Sequence, residues 1–272
     1  RTYRERIVAG PDFISFSVCV RETDLFIRCD RDLSETALNA VHHYRRLVEN
    51  YIRIIPEFLN TFGPLPEDPF APGIVKAMLA SARAAGVGPM AAVAGAIAEH
   101  VGRILLQSPG ISNVIVENGG DIYLNCKRIV IVNLLAGTSP LSGRISLVIR
   151  PDRMPPGVCT SSGTVGHSFS YGLADAVCVA ATSTALADAA ATAIGNVIRS
   201  ARDIESGLKR AEAIPGVQGA VIICGDRCGM TGQIELAETA REIEELAQGG
   251  TGHVRIGAVT APALDLVLPA LR

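Results

Sequence analysis

Asp188 and Thr192 stand four residues apart in Leu186-Ala-Asp-Ala-Ala-Ala-Thr-Ala-Ile194. A helix through this segment puts their carboxylate and hydroxyl on one face. Two oxygen donors in an Ala-lined, close-packed setting form part of a shell for Mg²⁺, which completes its octahedron with water and substrate phosphates. The same spacing also suits an Asp that caps or pairs locally and a Thr that bonds back to its own helix, so spacing alone leaves both readings open. Upstream, Val158-Cys-Thr-Ser-Ser-Gly-Thr-Val-Gly-His167 gathers hydroxyls, glycines and one imidazole. Such a loop, through Thr160, Ser161, Ser162 and Gly163, can wrap an anion with backbone N–H groups and small hydroxyls. His167 can then shuttle a proton or donate to a phosphate. No Gly-Lys-Ser/Thr follows, so this is not a Walker A loop. An ordinary Ser/Gly turn with a solvated His fits the same residues.

Glu117-Asn-Gly-Gly-Asp121 ends a β-branched run. Gly119 and Gly120 let the backbone approach a ligand closely, with Asn118 and Asp121 as flanking polar groups, although by itself the segment is a turn. Asp175 is another candidate carboxylate, with burial beside a strand as the alternative. Cys159 lies inside the hydroxyl loop as a candidate nucleophile, but no Cys-His-Asn constellation can be assigned from order alone. Cys224 and Cys228 lack the two-residue gap of common zinc knuckles and read as coincidental. His42-His43 reads as a solvated helix face.

The elements that must position these groups are legible in outline. Alternation over 14–20 and a second run at 25–27 predict an opening hairpin. Ser34-Glu-Thr-Ala can cap a helix that carries Leu38, Val41, Val48 and Ile52 as far as Pro56. Helices are expected over 73–85 and 89–106, the second opening with Pro in its tolerated first turn. A strand runs into Gly119-Gly120 and a second extended piece follows; 129–135 and 145–149 add two more strands. Residues 157–166 read as a small-residue loop, 176–180 as a buried strand, 183–200 as an Ala-rich helix and 219–224 as a strand. An acidic helix-like stretch then reaches Gln248. One internal echo is visible, an Ala-rich helix followed by a strand, a glycine and an aspartate, first over 91–121 and again over 185–226.

Composition removes several function classes. With 25 basic and 27 acidic residues, the chain of 272 residues has a net charge of −2, without the basic footprint that nucleic acid demands. It has no Trp and only 4% aromatic residues, which suits small-side-chain layers rather than a base-stacking platform. The apolar stretches near 87–98 and 173–198 are short or interrupted by Asp175 and Asp188, so no bilayer span is expected. Seven scattered cysteines suit reduced thiols and hence a cytoplasmic location.

Taken in order, these segments resemble the ApbE flavin transferase superfamily, closest to its cytoplasmic ApbE-like branch. The resemblance is carried by Val116-Glu-Asn-Gly-Gly-Asp-Ile122, Val158-Cys-Thr-Ser-Ser-Gly163, Gly166-His167-Ser168 and Ala187-Asp-Ala-Ala-Ala-Thr-Ala193. It implies that Asp188 and Thr192 bind Mg²⁺, that the Gly-Gly and Thr-Ser segments line a bound FAD, and that an acceptor protein receives FMN as the FAD pyrophosphate is split. It also implies an α+β fold of mainly antiparallel sheets packed with helices, two similar halves around a central cleft, formed by a single domain over 1–272. Two departures stand out. Gly95 occupies the place of the family's nucleotide-holding Lys, and the family's His-Ile-Ile-Asp-Pro segment is shortened to His167-Ser-Phe-Ser. The expected function is therefore a Mg²⁺-dependent FAD-binding enzyme with His167 and Asp188 catalytic, or a flavin or small-ligand binding module that has lost turnover. Either could act as a homo-oligomer.

Overall fold

The computed structural model describes residues 13–154, 156–162 and 172–239, together with the backbone of 254–258. The chain lays down one pattern twice. A first unit runs β1 (Ile14–Val20), β2 (Thr23–Cys29), α1 (Ser34–Ile54), α2 (Glu57–Asn60), α3 (Gly73–Ala85), α4 (Val93–Leu106), β3 (Val114–Asn118) and β4 (Asp121–Asn125). Two strands of a separate sheet follow, β5 (Val130–Leu134) and β6 (Ile145–Ile149). A second unit then runs β7 (Gly157–Ser161), β8 (Ala176–Ala181), α5 (Thr184–Gly195), α6 (Ile204–Glu212), β9 (Val217–Cys224) and β10 (Arg227–Gly232), before β11 (Glu235–Glu238) and β12 (Val254–Ala258). Each unit is thus strand–strand–helices–strand–strand, the arrangement behind the echo in the sequence.

The two units join edge to edge in one eight-stranded sheet of order β1-β2-β3-β4-β7-β8-β9-β10, antiparallel throughout. Its two faces bury different partners. Leu25, Ile27, Val114, Val116, Val177 and Ile222 pack against the helices. Their strand neighbours Ile115, Ile122, Val158, Cys178 and Val221 pack against the second sheet, of order β11-β6-β5-β12. Alternation of side chains across a strand makes this division automatic once the register is set. The fold is α+β with mainly antiparallel sheets, as expected from sequence.

Several elements differ from expectation. Residues 157–161 are a strand inside the large sheet and not a loop. A Cβ added at Gly157 would lie 2.3 Å from Thr184 Cα, so the small residues there reflect close helix packing. The described part of the acidic stretch forms β10 and β11; β10 is an edge strand with little burial, and its polar composition follows from that exposure. The helix expected over 183–200 stops at Gly195. Residues 89–92 form a 3₁₀ turn before α4 begins. Ser34 does not cap α1; Asp32 Oδ1 accepts the Ser34 N–H at 2.8 Å instead. By length and composition Pro89–Leu106 would suffice to cross a bilayer, but 72% of it is buried and α4 packs on α5 and β3.

Asp30 ties the entry of β3 to the end of β2. Its Oδ2 accepts from Ser112 N at 2.6 Å and Asn113 N at 2.9 Å, and Oδ1 accepts from Asn113 Nδ2 at 2.7 Å. Asp30→Ala leaves these donors unmet and is expected to lower stability by about 1–3 kcal/mol in urea denaturation, with Asp30→Asn intermediate. An unchanged midpoint for the Ala variant would show that water replaces the carboxylate without cost.

Candidate functional site

The β3–β4 connection is the tight turn Gly119-Gly120, with φ of 73° and 143° and Asn118 paired to Asp121 across it. Only glycine takes such angles at low cost, which explains the residue pair. The turn aims Asp121 at the helix side of the sheet. Cys159 is its direct cross-strand partner on β7, so the two side chains share that face. From above, α5 brings Asp188. One ligand atom from each of Asp121, Cys159 and Asp188 lies within 4.8 Å of the others, and all three residues are buried.

Helices α4 and α5 hold each other at their N-termini. Asp188 Oδ2 accepts the Gly95 N–H at 2.9 Å, and its carboxylate also takes a hydrogen bond from the Ala94 amide. Both amides belong to the first turn of α4, whose donors have no partner within their own helix. In return Glu99 Oε2 accepts the Thr184 N–H at 2.8 Å in the first turn of α5, beside the Ser183 hydroxyl that accepts from Leu186 N. Glu99 is four residues after Gly95 as Asp188 is four after Thr184, so the two caps are counterparts in the repeated units. Asn118 joins the arrangement by donating from Nδ2 to Ala94 O at 3.0 Å.

Burial dominates the electrostatics. Asp121 is pushed up to about 7 by burial; the hydrogen bond with Cys159 works against this and the charge of Glu117 adds to it. Asp188 is held well above the usual carboxylate range by burial and then by Asp121, against the Gly95 and Ala94 amides. Burial, followed by the two carboxylates, raises the Cys159 thiol well above its ordinary value. Two carboxyl groups this close in a desolvated site cannot both ionise without a compensating charge. Asp121 Oδ1 is buried with no hydrogen-bond partner among the described residues. An orphaned carboxylate oxygen facing a second carboxylate is a donor set that a divalent cation fits.

The remaining candidates are placed as follows. Thr192 lies one turn beyond Asp188 on α5 and is the helix's one partly exposed residue. Thr160 N donates to Gly120 O at 3.0 Å, while alternation along β7 sends its buried hydroxyl to the inter-sheet side, beside the Cys178 thiol of the neighbouring strand. Ser161, half-buried, and Ser162, buried, follow at the end of β7. Gly163 and His167 lie outside the described residues. Asp175 has a structural task, since its Oδ2 accepts the Gly225 N–H at 2.7 Å in the β9–β10 turn. Glu99 was not singled out from sequence, although the repeat spacing carried the signal. Cys159 was read only as a nucleophile, whereas the register makes it a neighbour of two carboxylates.

A sequence profile for the family described as AbpE bacteria matches residues 5–236. The chain belongs to this family. Within it, the chain is 41% identical over 238 residues to a UPF0280 protein of Methanococcus aeolicus, covering 85% of this chain and 96% of the relative. It is 43% identical over 237 residues to a UPF0280 protein of Methanospirillum hungatei, covering 86% and 94%. Among solved structures it is similar to the ApbE protein of Thermotoga maritima, with a TM-score of 0.52 and 12% identity over 84% of this chain and 98% of the other. The apo Pseudomonas stutzeri flavinyl transferase ApbE aligns with a TM-score of 0.50 and 15% identity over 80% and 93%. The likeness to these two solved structures is one of fold. Packing in this chain accounts for Gly95: a Cβ there would lie 2.3 Å from Thr184 O and 3.0 Å from Asp188 Cβ, so the α4–α5 contact excludes any side chain.

Proposed function

We propose that this protein binds a flavin nucleotide beside the Gly119-Gly120 turn and, with Mg²⁺, cleaves the FAD pyrophosphate or transfers FMN to an acceptor protein. The observation that carries the reading is the meeting of Asp188, from the helix that resembles the family's metal-binding segment, with Asp121 directly after the Gly-Gly turn. Asp188, Thr192 and Asp121 would hold the cation, which supplies charge neutralisation to a departing phosphate. The Gly-Gly turn leaves its backbone open to close approach, and Ser161 and Ser162 offer hydroxyls at the end of β7. Gly95 and Ala94 fix Asp188 through their amides and so orient its carboxylate. Bound to the cation, the two carboxylates would be ionised. His167 and Gly163 are assigned to the phosphates by resemblance alone. A cytoplasmic location is part of the proposal and follows from reading the seven scattered cysteines as reduced thiols.

A binding module without turnover is the second reading, favoured by Gly95, since packing denies the site the family's Lys. Incubation of purified protein with FAD and Mg²⁺, followed by chromatography of AMP and FMN, separates the two. The expected result is AMP release by the native chain and a loss of at least 100-fold in Asp188→Asn, which keeps an acceptor for Gly95 N–H but removes the charge. Retained FAD without AMP would establish the binding module, and a chain that neither releases AMP nor retains FAD would end the flavin assignment.

A further inference from the structure

We propose that Asp121, Cys159 and Asp188 form a mixed carboxylate–thiolate centre that binds a borderline divalent transition metal, of the Zn²⁺ or Co²⁺ kind, in preference to Mg²⁺. The inference shares Asp121 and Asp188 with the flavin reading and replaces Mg²⁺ at these two carboxylates by an ion that also takes sulfur; it stands without flavin, because it concerns only which ion the three side chains select.

The geometry is that of a site prepared for a small cation. Three ligand atoms from three separate elements, β4, β7 and α5, converge within 4.8 Å of one another. Metal–oxygen bonds near 2.0–2.2 Å and a metal–sulfur bond near 2.3 Å set tetrahedral donors roughly 3.4–3.7 Å apart, so the three side chains need close in by no more than about 1.4 Å on binding. Asp121 is 5% exposed, and its Oδ1 has no hydrogen-bond partner among the described residues, so one ligand oxygen stands ready. Asp188 keeps Oδ2 on the Gly95 amide, which orients the carboxylate in the way an outer hydrogen bond orients a metal ligand. The Asp121↔Cys159 register keeps the two side chains as neighbours on one face of the sheet.

The sulfur decides the kind of ion. Mg²⁺ is hard, takes oxygen ligands and keeps several waters, and it gains little from a thiolate. Zn²⁺ and Co²⁺ accept sulfur and carboxylate together, and three protein ligands leave a fourth position open for water or a substrate oxygen. On binding, the Cys159 S–H proton and any carboxyl proton pass to solvent as the sulfur–metal and oxygen–metal bonds form. The other nearby thiol, Cys178, faces the inter-sheet core and takes no part.

The test uses the full chain, stripped with a chelator and titrated with Co²⁺ in the absence of flavin. A thiolate-to-cobalt charge-transfer band should grow to one equivalent, persist in a large excess of Mg²⁺, and vanish in Cys159→Ser. That variant should also bind Zn²⁺ at least tenfold more weakly. Should it fold poorly, X-ray absorption of the zinc-loaded native chain gives the answer, with one sulfur expected at about 2.3 Å. A native chain with no charge-transfer band, a band unchanged in well-folded Cys159→Ser, displacement of Co²⁺ by equimolar Mg²⁺, or an oxygen-only zinc shell would each overturn the proposal. None of these readouts depends on FAD cleavage, so failure of the flavin reading leaves them intact.

Discussion

Replacing Gly95 by Lys, the residue expected there in active flavin transferases, will unfold this protein rather than restore activity. Gly95 sits in the first turn of α4, where a Cβ would lie 2.3 Å from the carbonyl oxygen and 2.7 Å from the carbonyl carbon of Thr184. Both are backbone atoms in the first turn of α5 and cannot swing aside as a side chain could. Even Gly95→Ala forces α4 and α5 apart. The separation stretches the Asp188–Gly95 and Glu99–Thr184 bonds that cap the two helices. We expect a loss of at least about 3 kcal/mol for Ala, from overpacking plus weakened caps, and no cooperative unfolding transition for Lys. Urea denaturation followed by far-UV circular dichroism measures both. A Lys variant that melts like the native chain would show that α4 and α5 separate at little cost. FAD cleavage gained by such a variant would mean that only the missing cation had silenced the site.

The second large effect is an inverted dependence of stability on pH in the metal-free protein. Asp121 titrates near 7 when folded against about 3.8 when unfolded, because burial penalises its charged form. A carboxyl group whose folded value is raised contributes stability that is fully present below the unfolded value. That contribution is lost as pH rises through the folded value. Between roughly pH 4 and pH 7 the chelated protein should therefore lose on the order of a few kcal/mol, with Asp188 shifted in the same direction. Asp30 works oppositely: burial pushes it up, but its hydrogen bonds from Asn113 and Ser112 together outweigh that and hold it below the usual range, so its contribution falls away only in more acid solution. Thermal melts of chelated protein at pH 5 and pH 8 should show the higher midpoint at pH 5, and Asp121→Asn should flatten the difference. A saturating divalent cation should reverse the slope, since it binds the deprotonated groups. A midpoint that rises with pH in the chelated native chain would show that the two carboxylates stay ionised and solvated.

What the sequence made legible follows periodicity and turn chemistry. Alternation in 14–20, the apolar stripe of α1 and the β-branched run into Gly119-Gly120 each produced the expected element, because each is a local pattern: the first two mark one buried face, and the third marks a strand buried on both. Residues 157–161 were misread for the opposite reason. Gly157 and Cys159 are small because α5 and Asp121 press on them, and small residues in a row look like a loop until the neighbour is known. The edge strand β10 was misread because Gly229 and Thr231, the residues it turns toward α6, are small or polar and so carry no apolar alternation.

At the site, the sequence by itself determined which chemical groups are available: the Gly-Gly-Asp turn, the Asp188–Thr192 spacing, the hydroxyl-rich segment and the absence of a Lys at position 95. Only the tertiary structure decided which of them meet. Strand register put Cys159 opposite Asp121 and turned the Thr160 hydroxyl to the other face. The close crossing of α4 and α5, permitted by the missing Cβ of Gly95, carried Asp188 onto both the α4 amides and the Asp121–Cys159 pair. Contacts between residues far apart in the chain leave no local periodicity, so the cluster and its raised carboxyl values arise from packing alone.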